Sequence, residues 1–562
     1  MFRPKRKQKT ILDHDVYLPE DRQQALEKSW AGPFRKTVLP MIQEEPFRPF
    51  YCQDNGRPNV PVAILTGLCI LKELYNLTDQ EVLGSLEFDL RWQYAFDITV
   101  SEAHICQKTL HNFRVLVTTN EQARQIFQGL TDDLIAAAGL STEKQRLDST
   151  HILSHMSHLT RLGLFIRVIE GFLKRLKKRY PKLYQKLPQV YDQVYLQRSG
   201  YFADVKSSQA RRRLVQCARH LFDLVGRFRG QAEISHLKAY RLMERLLREQ
   251  CQINEDAPEP VTLKDPKEIP ADSLQSPADP DATYGRKGKG YKASLTETCA
   301  PENPFQVITD VAVDAASASD QQDVVAVLDR LDESGHKPTE LFADAGYGSG
   351  ANILEAQARE VDLVAPLTSG SPPDLEKMQL SDFAVTADGR QVLACITDQI
   401  PLTSEVTGDG QVVAIFSHAS CSRCRFLSVC RVKRYQGNYR LVYALADWAT
   451  SRRREQQETA HFKERYKIRS GIEATISEAN RLTGLKRVWT RGKKRVRMSV
   501  FFKALAINIK RFIRYALEKA KKALAMGQGL SSPTCFASIL RHLRHPGGLK
   551  GSWPPYRYAL PA

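Results

Sequence analysis

At residue 284 the hydrophobic period of this chain changes, and the change limits the folds open to it. Upstream, apolar residues recur at helical spacing in PVAILTGLCILKELYN (61–76), in 120–140 and in the long basic stretches of 160–250. Downstream, TYGRKGKGYKASLTETC and PFQVITDVAVD read as the two strands of a hairpin, and DQQDVVAVLDRLDESG reads as a helix. TELFADAGYGS then reads as a strand entering a glycine-rich turn, ANILEAQAREV as a helix and DLVAP as a short strand. Earlier in the chain, STEKQRLDSTHI is a strand candidate ending at Asp148-Ser149-Thr150. A hairpin followed by alternating helix and strand implies a mixed sheet with helices packed on it, so the expected class is α/β behind an N-terminal all-α domain.

Local signals sharpen the helical part. Thr78 opens TDQE, with Glu81 three residues on, the pattern of a capping box. SEAHICQKTLHNFR (101–114) reads as another helix, and the next ends near Gly139. Compact helices with short turns suit a helix-turn-helix-like module, and a plain helical bundle fits the same pattern. Six prolines among acids mark 252–283 as linker or loop. These breaks divide the chain into a helical domain (1–135), a catalytic-type domain (136–515) interrupted by a helical insertion (160–283) and a cysteine-bearing insertion (366–440), and a tail (516–562). No internal repeat is present.

Charge narrows the partner. The net charge is +19 with a pI near 9.4, and residues 451–500 hold 15 Lys and Arg against 5 Asp and Glu. Such an excess favours a polyanion, nucleic acid before an acidic membrane surface. No run of about eighteen apolar residues suggests a membrane span, and MFRPKRKQKTILDHD has no apolar signal region. A cytoplasmic protein is expected. Eleven cysteines in such a chain argue for reduced thiols or a metal site rather than a disulfide scaffold.

The chemistry gathers around 461–497. Read as one helix, Tyr466, Arg469 and Glu473 share a face, and a basic run follows: Lys486, Arg487, Trp489, Arg491, Lys493 and Lys494, then Arg495 and Arg497. The bland alternative is a surface i,i+4 pair of Arg469 with Glu473 beside a solvated tail. Two further acids sit where ligand groups are presented. Asp148 is expected at the end of its strand, although a helix N-cap fits the same residues. Asp344 is expected at the end of the ADAGYGS strand, although a turn aspartate fits as well. Three separately placed carboxylates are what two divalent ions about 4 Å apart require to activate a water or hydroxyl and stabilise a leaving oxygen of a phosphodiester. Glu478 faces away from Glu473 on the helix and is the weaker candidate. His151, His155 and His158 have the spacing of one helical face, a weaker ligand pattern that no nearby carboxylate or cysteine completes. Cys395, Cys421, Cys424 and Cys430 read either as a structural zinc site, with His418 able to replace a ligand, or as free thiols.

With RLDST around Asp148, FADAGYGS around Asp344 and Tyr466-x2-Arg469-x3-Glu473 in place, the chain resembles the DDE transposases of bacterial insertion sequences, in their IS-four/IS-five-like branch. SPADPDATYGRKGKGYKASL, TLHNFR and the four-cysteine set are similar to further parts of that family. The resemblance spans most of 50–515. It implies a ribonuclease-H-like core, catalytic and metal-holding roles for Asp148, Asp344 and Glu473, dependence on Mg²⁺ or Mn²⁺, and recognition of terminal inverted repeats in double-stranded DNA. A homodimer working on two element ends is implied too. One departure stands out: the family's usual lysine seven residues after the glutamate is Asn480 here, with Arg481 adjacent. A DNA-binding relative without catalysis and a metal-dependent endonuclease that never joins strands are the alternative functions.

Overall fold

A computed structural model describes residues 1–5, 17–52, 55–197, 207–368, 376–408 and 410–525. Five strands of the six-stranded central sheet are β1 (Lys144–Ile152), β2 (Gly288–Thr298), β3 (Ile308–Ala315), β4 (Glu340–Ala343) and β5 (Asp362–Val364), in the order β3-β2-β1-β4-β5. β2 is antiparallel to both β1 and β3, while β1, β4 and β5 run parallel. A short strand, Thr283–Gly285, pairs with the start of β2. The hairpin, helix and strand order expected from the sequence is therefore present.

Each face of the sheet carries its own core, because alternate strand residues point to opposite faces. On one face Ile152, Tyr291, Leu295 and Val311 pack with the N-terminal helices, including α1 (Val62–Leu74) and α2 (Gln122–Ala138), and with the long final helix. On the other, Leu147, Leu341 and Leu363 pack against helices α6 (Asp323–Glu333), α7 (Gly350–Gln357) and α8 (Leu445–Glu458). The insertion after β1 has a separate core, built by the amphipathic helices α3 (Arg161–Arg179), α4 (Ser207–Phe228) and α5 (Lys238–Gln250) around Phe172, Leu221 and Tyr240. The cysteine-bearing insertion is a four-stranded antiparallel sheet of Thr403–Val406, Gln411–Phe416, Lys433–Tyr435 and Asn438–Ala444.

The chain then enters α8, α9 (Ala460–Tyr466), α10 (Gly471–Thr483) and α11 (Lys493–Ala525). Helix α11 runs into the expected tail, of which residues 526–562 lie outside the described part. Thr78 makes the expected capping box with Glu81, and Gly139 closes α2 in the left-handed conformation.

The N-terminal helices share their core with α11 and the sheet, and a buried ion pair ties them together. Lys503 of α11, 1% exposed, meets Glu73 of α1 at 2.6 Å and also bonds the Thr483 carbonyl. Burial alone would raise the Glu73 carboxyl, but Lys503 and Lys72 hold it below its ordinary value. A depressed folded-state value adds stability above the ordinary carboxylate range, which is lost as pH falls through it. Lys503→Met leaves Glu73 without its closest cation and should cost about 3–5 kcal/mol in urea unfolding at neutral pH. The gap to wild type should narrow below about pH 4 as the carboxyl protonates.

Candidate active site

Pairing register brings the first two acids together. Parallel pairing of β1 with β4 ends at Leu147↔Ala343, so Asp148 and Asp344 are the next residues on adjacent strands. Asp148 does not end its strand as expected: β1 continues to Ile152 because β2 keeps pairing with it there. The Asp148 carboxylate accepts from the Ser149 N–H at 2.8 Å, and that of Asp344 from the Gly346 N–H at 2.8 Å. The glycine-rich turn is set by close packing. A Cβ on Gly348 would lie 1.8 Å from the Pro366 carbonyl oxygen.

The third acid arrives on a helix that is broken rather than continuous. Residues Lys467–Ser470 form a 3₁₀ turn between α9 and α10. Arg146, two residues before Asp148 on β1, explains the break: its Nη1 donates to the Ile468 carbonyl at 3.0 Å, and a Cβ on Gly471 would meet that same nitrogen at 1.9 Å. Arg146 is itself held by Glu297 of β2, which is fully buried, at 2.7 Å. Arg511 of α11 at 2.5 Å and the Thr475 hydroxyl at 2.5 Å complete the partners of Glu297. Sequence reasoning passed over Arg146, Glu297, Thr475 and Arg511. The one available signal was that Arg146 and Asp148 share a face of β1.

This frame sets Arg469 at the centre of the acids. Its guanidinium lies 3.0 Å from Asp148, 3.8 Å from Asp344 and 2.6 Å from Glu473. Arg469 and Asp148 are largely buried, whereas the Glu473 side chain is 65% exposed. Burial raises the Asp148 carboxyl above its ordinary value; the Arg469 charge and the Ser149 N–H oppose this, and Asp344 adds to it. Burial likewise raises the Tyr466 hydroxyl, whose ring stacks on Phe462 at 5.9 Å. Glu478 belongs elsewhere, paired with Lys510 at 2.6 Å and Arg511 at 2.8 Å.

Among the described residues no group of three or more His, Cys, Asp or Glu side chains forms a ready metal cage. The guanidinium of Arg469 fills the space between the carboxylates. The donor set nevertheless fits Mg²⁺ or Mn²⁺, since all three acids offer hard oxygen ligands and a cation already stands at their focus.

Two transposase family models match this chain. A transposase DDE domain matches residues 398–513 and a transposase domain (DUF772) matches residues 28–116. The two matches support a DDE transposase of the insertion-sequence type. Comparisons with curated proteins and with solved structures give no match. The first segment contains Arg469 and Glu473 and the second contains α1 with its capping-box neighbour, so the two matches bracket the sheet that carries Asp148 and Asp344. Transposition is the function such families serve, and DNA is the substrate they act on. No helix among the described residues is long and apolar enough to cross a membrane.

The remaining candidate residues divide. Residues 486–490 run alongside the chain that leaves β1, through Leu153 N–H to the Lys486 carbonyl at 2.9 Å and His155 N–H to the Thr490 carbonyl at 3.1 Å. Lys486, Arg487, Trp489 and Arg491 are exposed there, with Trp489 Nε1 donating to Asn76 at 3.1 Å. Lys493 and Lys494 are engaged internally, with Asp314 at 3.1 Å and Glu121 at 3.4 Å. Asn480 accepts the Lys486 N–H at 3.2 Å, so it shapes the exit from α10. The three histidines do not share a helix: His151 lies on β1, and His155 and His158 follow in a loop. Strand pairing overrides their helical spacing. Cys395, Cys421, Cys424 and Cys430 line one small cavity of about 20 Å³. Burial, helped by the neighbouring thiols, pushes Cys421 up to about 11.

Proposed function

We propose that this transposase cleaves DNA strands at the ends of its element, the terminal inverted repeats, and transfers them into target DNA. The observation that carries the reading is the gathering of Asp148, Asp344 and Glu473 on one guanidinium. The strand order β3-β2-β1-β4-β5 with an antiparallel β2 supports a ribonuclease-H-like core, and the IS-four/IS-five-like branch rests on the motifs around the three acids.

Asp148 and Asp344 are fixed by the sheet, and exposed Glu473 closes the set from the first turn of α10. These three carboxylates would hold Mg²⁺ or Mn²⁺, which lowers the pKa of an attacking water and stabilises the leaving oxygen. Arg469 offers a planar fork to a phosphate once it is released from the acids. Tyr466, packed on Phe462, supports the turn that carries Arg469. Lys486, Arg487, Trp489 and Arg491 grip the DNA backbone, and Lys493 and Lys494 join them by exchanging their internal carboxylates for phosphate. Cleavage of two ends calls for a homodimer in the DNA complex.

A donor plasmid carrying a marker between the DNA ends that flank this gene tests the reading. Excision that requires Mg²⁺ or Mn²⁺ is expected. Specific binding to those ends with no excision would assign an inactive DNA-binding relative, and cleavage with no joined product would assign an endonuclease.

The four cysteines, which line one cavity beside the small antiparallel sheet, extend the proposal to a structural zinc site. Purified protein is expected to contain about one zinc per chain, lost on Cys424→Ser substitution. Full reactivity of all four thiols toward a thiol reagent in unchelated native protein would contradict it.

A further inference from the structure

The strand Thr283–Gly285 pairs with the start of β2 as Thr283↔Gly290, Tyr284↔Lys289 and Gly285↔Gly288. Only Arg286 and Lys287 are left in the turn, and both are exposed. Gly288, with φ of +118°, allows so tight a reversal. The turn is also pinned from both sides. A Cβ on Gly285 would lie 1.9 Å from the Ala316 carbonyl oxygen, and one on Gly290 would lie 2.1 Å from that of Ile152.

The turn joins the catalytic sheet directly. β2 runs beside β1 without a register shift, from Leu295 opposite Asp148 to Tyr291 opposite Ile152, and continues into the tip. The neighbouring cations are already committed: Lys289 donates to the Leu159 carbonyl at 2.7 Å, and Lys292 pairs with Asp323 at 2.7 Å. Among the described residues Arg286 and Lys287 have no carboxylate partner in an ion pair. The base of the turn folds against β1 three residues beyond Asp148: the Lys289 carbonyl lies 3.1 Å from His151 Nε2, and a Cβ on Gly288 would lie 3.8 Å from the same nitrogen. Tyr284, 53% exposed, stands beside the tip. Two cations without a carboxylate partner, on a sterically fixed turn at the end of the strand that carries Asp148, are placed for an anion that approaches the acids along that strand.

We propose that Arg286 and Lys287 form a phosphate-positioning tip that holds the DNA backbone against the Asp148, Asp344 and Glu473 cluster. This rests on the reading of that cluster as a strand-cleaving site. The tip acts on the substrate through charge and takes no part in bond making.

The test uses the full chain and a duplex oligonucleotide carrying the element end. Binding is measured without divalent metal across a potassium chloride series, and single-turnover cleavage is measured with Mn²⁺. For Arg286→Gln/Lys287→Gln the slope of log affinity against log salt should fall by about 0.9 for each phosphate that is no longer neutralised, so by roughly 2. The DNA concentration for half-maximal cleavage should rise about tenfold or more, and Arg286→Lys/Lys287→Arg should restore both values. A double variant with the wild-type slope and half-saturation overturns the tip's role while leaving the active-site reading intact. Wild-type protein that binds this DNA but cleaves it with no divalent metal overturns the active-site reading, and the positioning role with it.

Discussion

Replacing Glu473 by glutamine is expected to abolish strand cleavage and to leave DNA binding nearly unchanged. The amide keeps the size of the side chain and removes the charge that completes the acid set. A loss of about 10³-fold or more in the cleavage rate is expected, on the order of 4 kcal/mol of transition-state stabilisation. Folding should hardly notice, because the side chain is 65% exposed and exposed ion pairs contribute about 0–1 kcal/mol. Arg469 keeps Asp148 at 3.0 Å as a partner. Parallel measurements of end cleavage, end binding and thermal unfolding separate these effects. Cleavage retained in the variant would remove Glu473 from the chemistry.

A large stability effect is also expected at Glu297. Its carboxylate is fully buried and answers two guanidiniums, Arg146 at 2.7 Å and Arg511 at 2.5 Å. Glu297→Ala leaves both cations in a low-dielectric interior with reduced compensation, a loss of about 3–5 kcal/mol. Arg511 retains Glu478 at 2.8 Å, so Arg146 should suffer more. Because Arg146 also holds the Ile468 carbonyl, the turn bearing Arg469 should loosen, and cleavage should fall even in the folded fraction. Urea midpoints give the first effect and cleavage rates normalised to folded protein give the second. A midpoint within about 1 kcal/mol of wild type would show that the network contributes little.

Asp148, Asp344 and Glu473 stand out in the sequence as a candidate set because each sits in a short motif, and the structure brings all three to Arg469. Their meeting point was not legible in the sequence, since it depends on the register that ends β1–β4 pairing at Leu147↔Ala343. The break before α10 was hidden for the same reason. The KERYKIRSG stretch reads as helix, and only the passage of Arg146 across Gly471 shows why the backbone tightens there. Nothing in the sequence around Glu297 marks it as special, and only the structure shows α10 and α11 covering it through Thr475 and Arg511. The helical insertion was easy to read because its apolar residues recur at helical spacing and bury together. The histidine spacing misled, as strand pairing through Ile152 decides the local structure there.

The central claim is that the carboxylates of Asp148 and Asp344 ligate the same catalytic metal centre. Its most direct test is a change of ligand: Asp148→Cys and Asp344→Cys, each assayed for end cleavage in Mg²⁺ and in Mn²⁺ or Cd²⁺. Thiolate is a poor ligand for Mg²⁺ and a better one for softer ions. The expected result is no cleavage in Mg²⁺ and measurable cleavage in the softer metal for both variants. Wild-type rates in Mg²⁺ for either variant would contradict the claim.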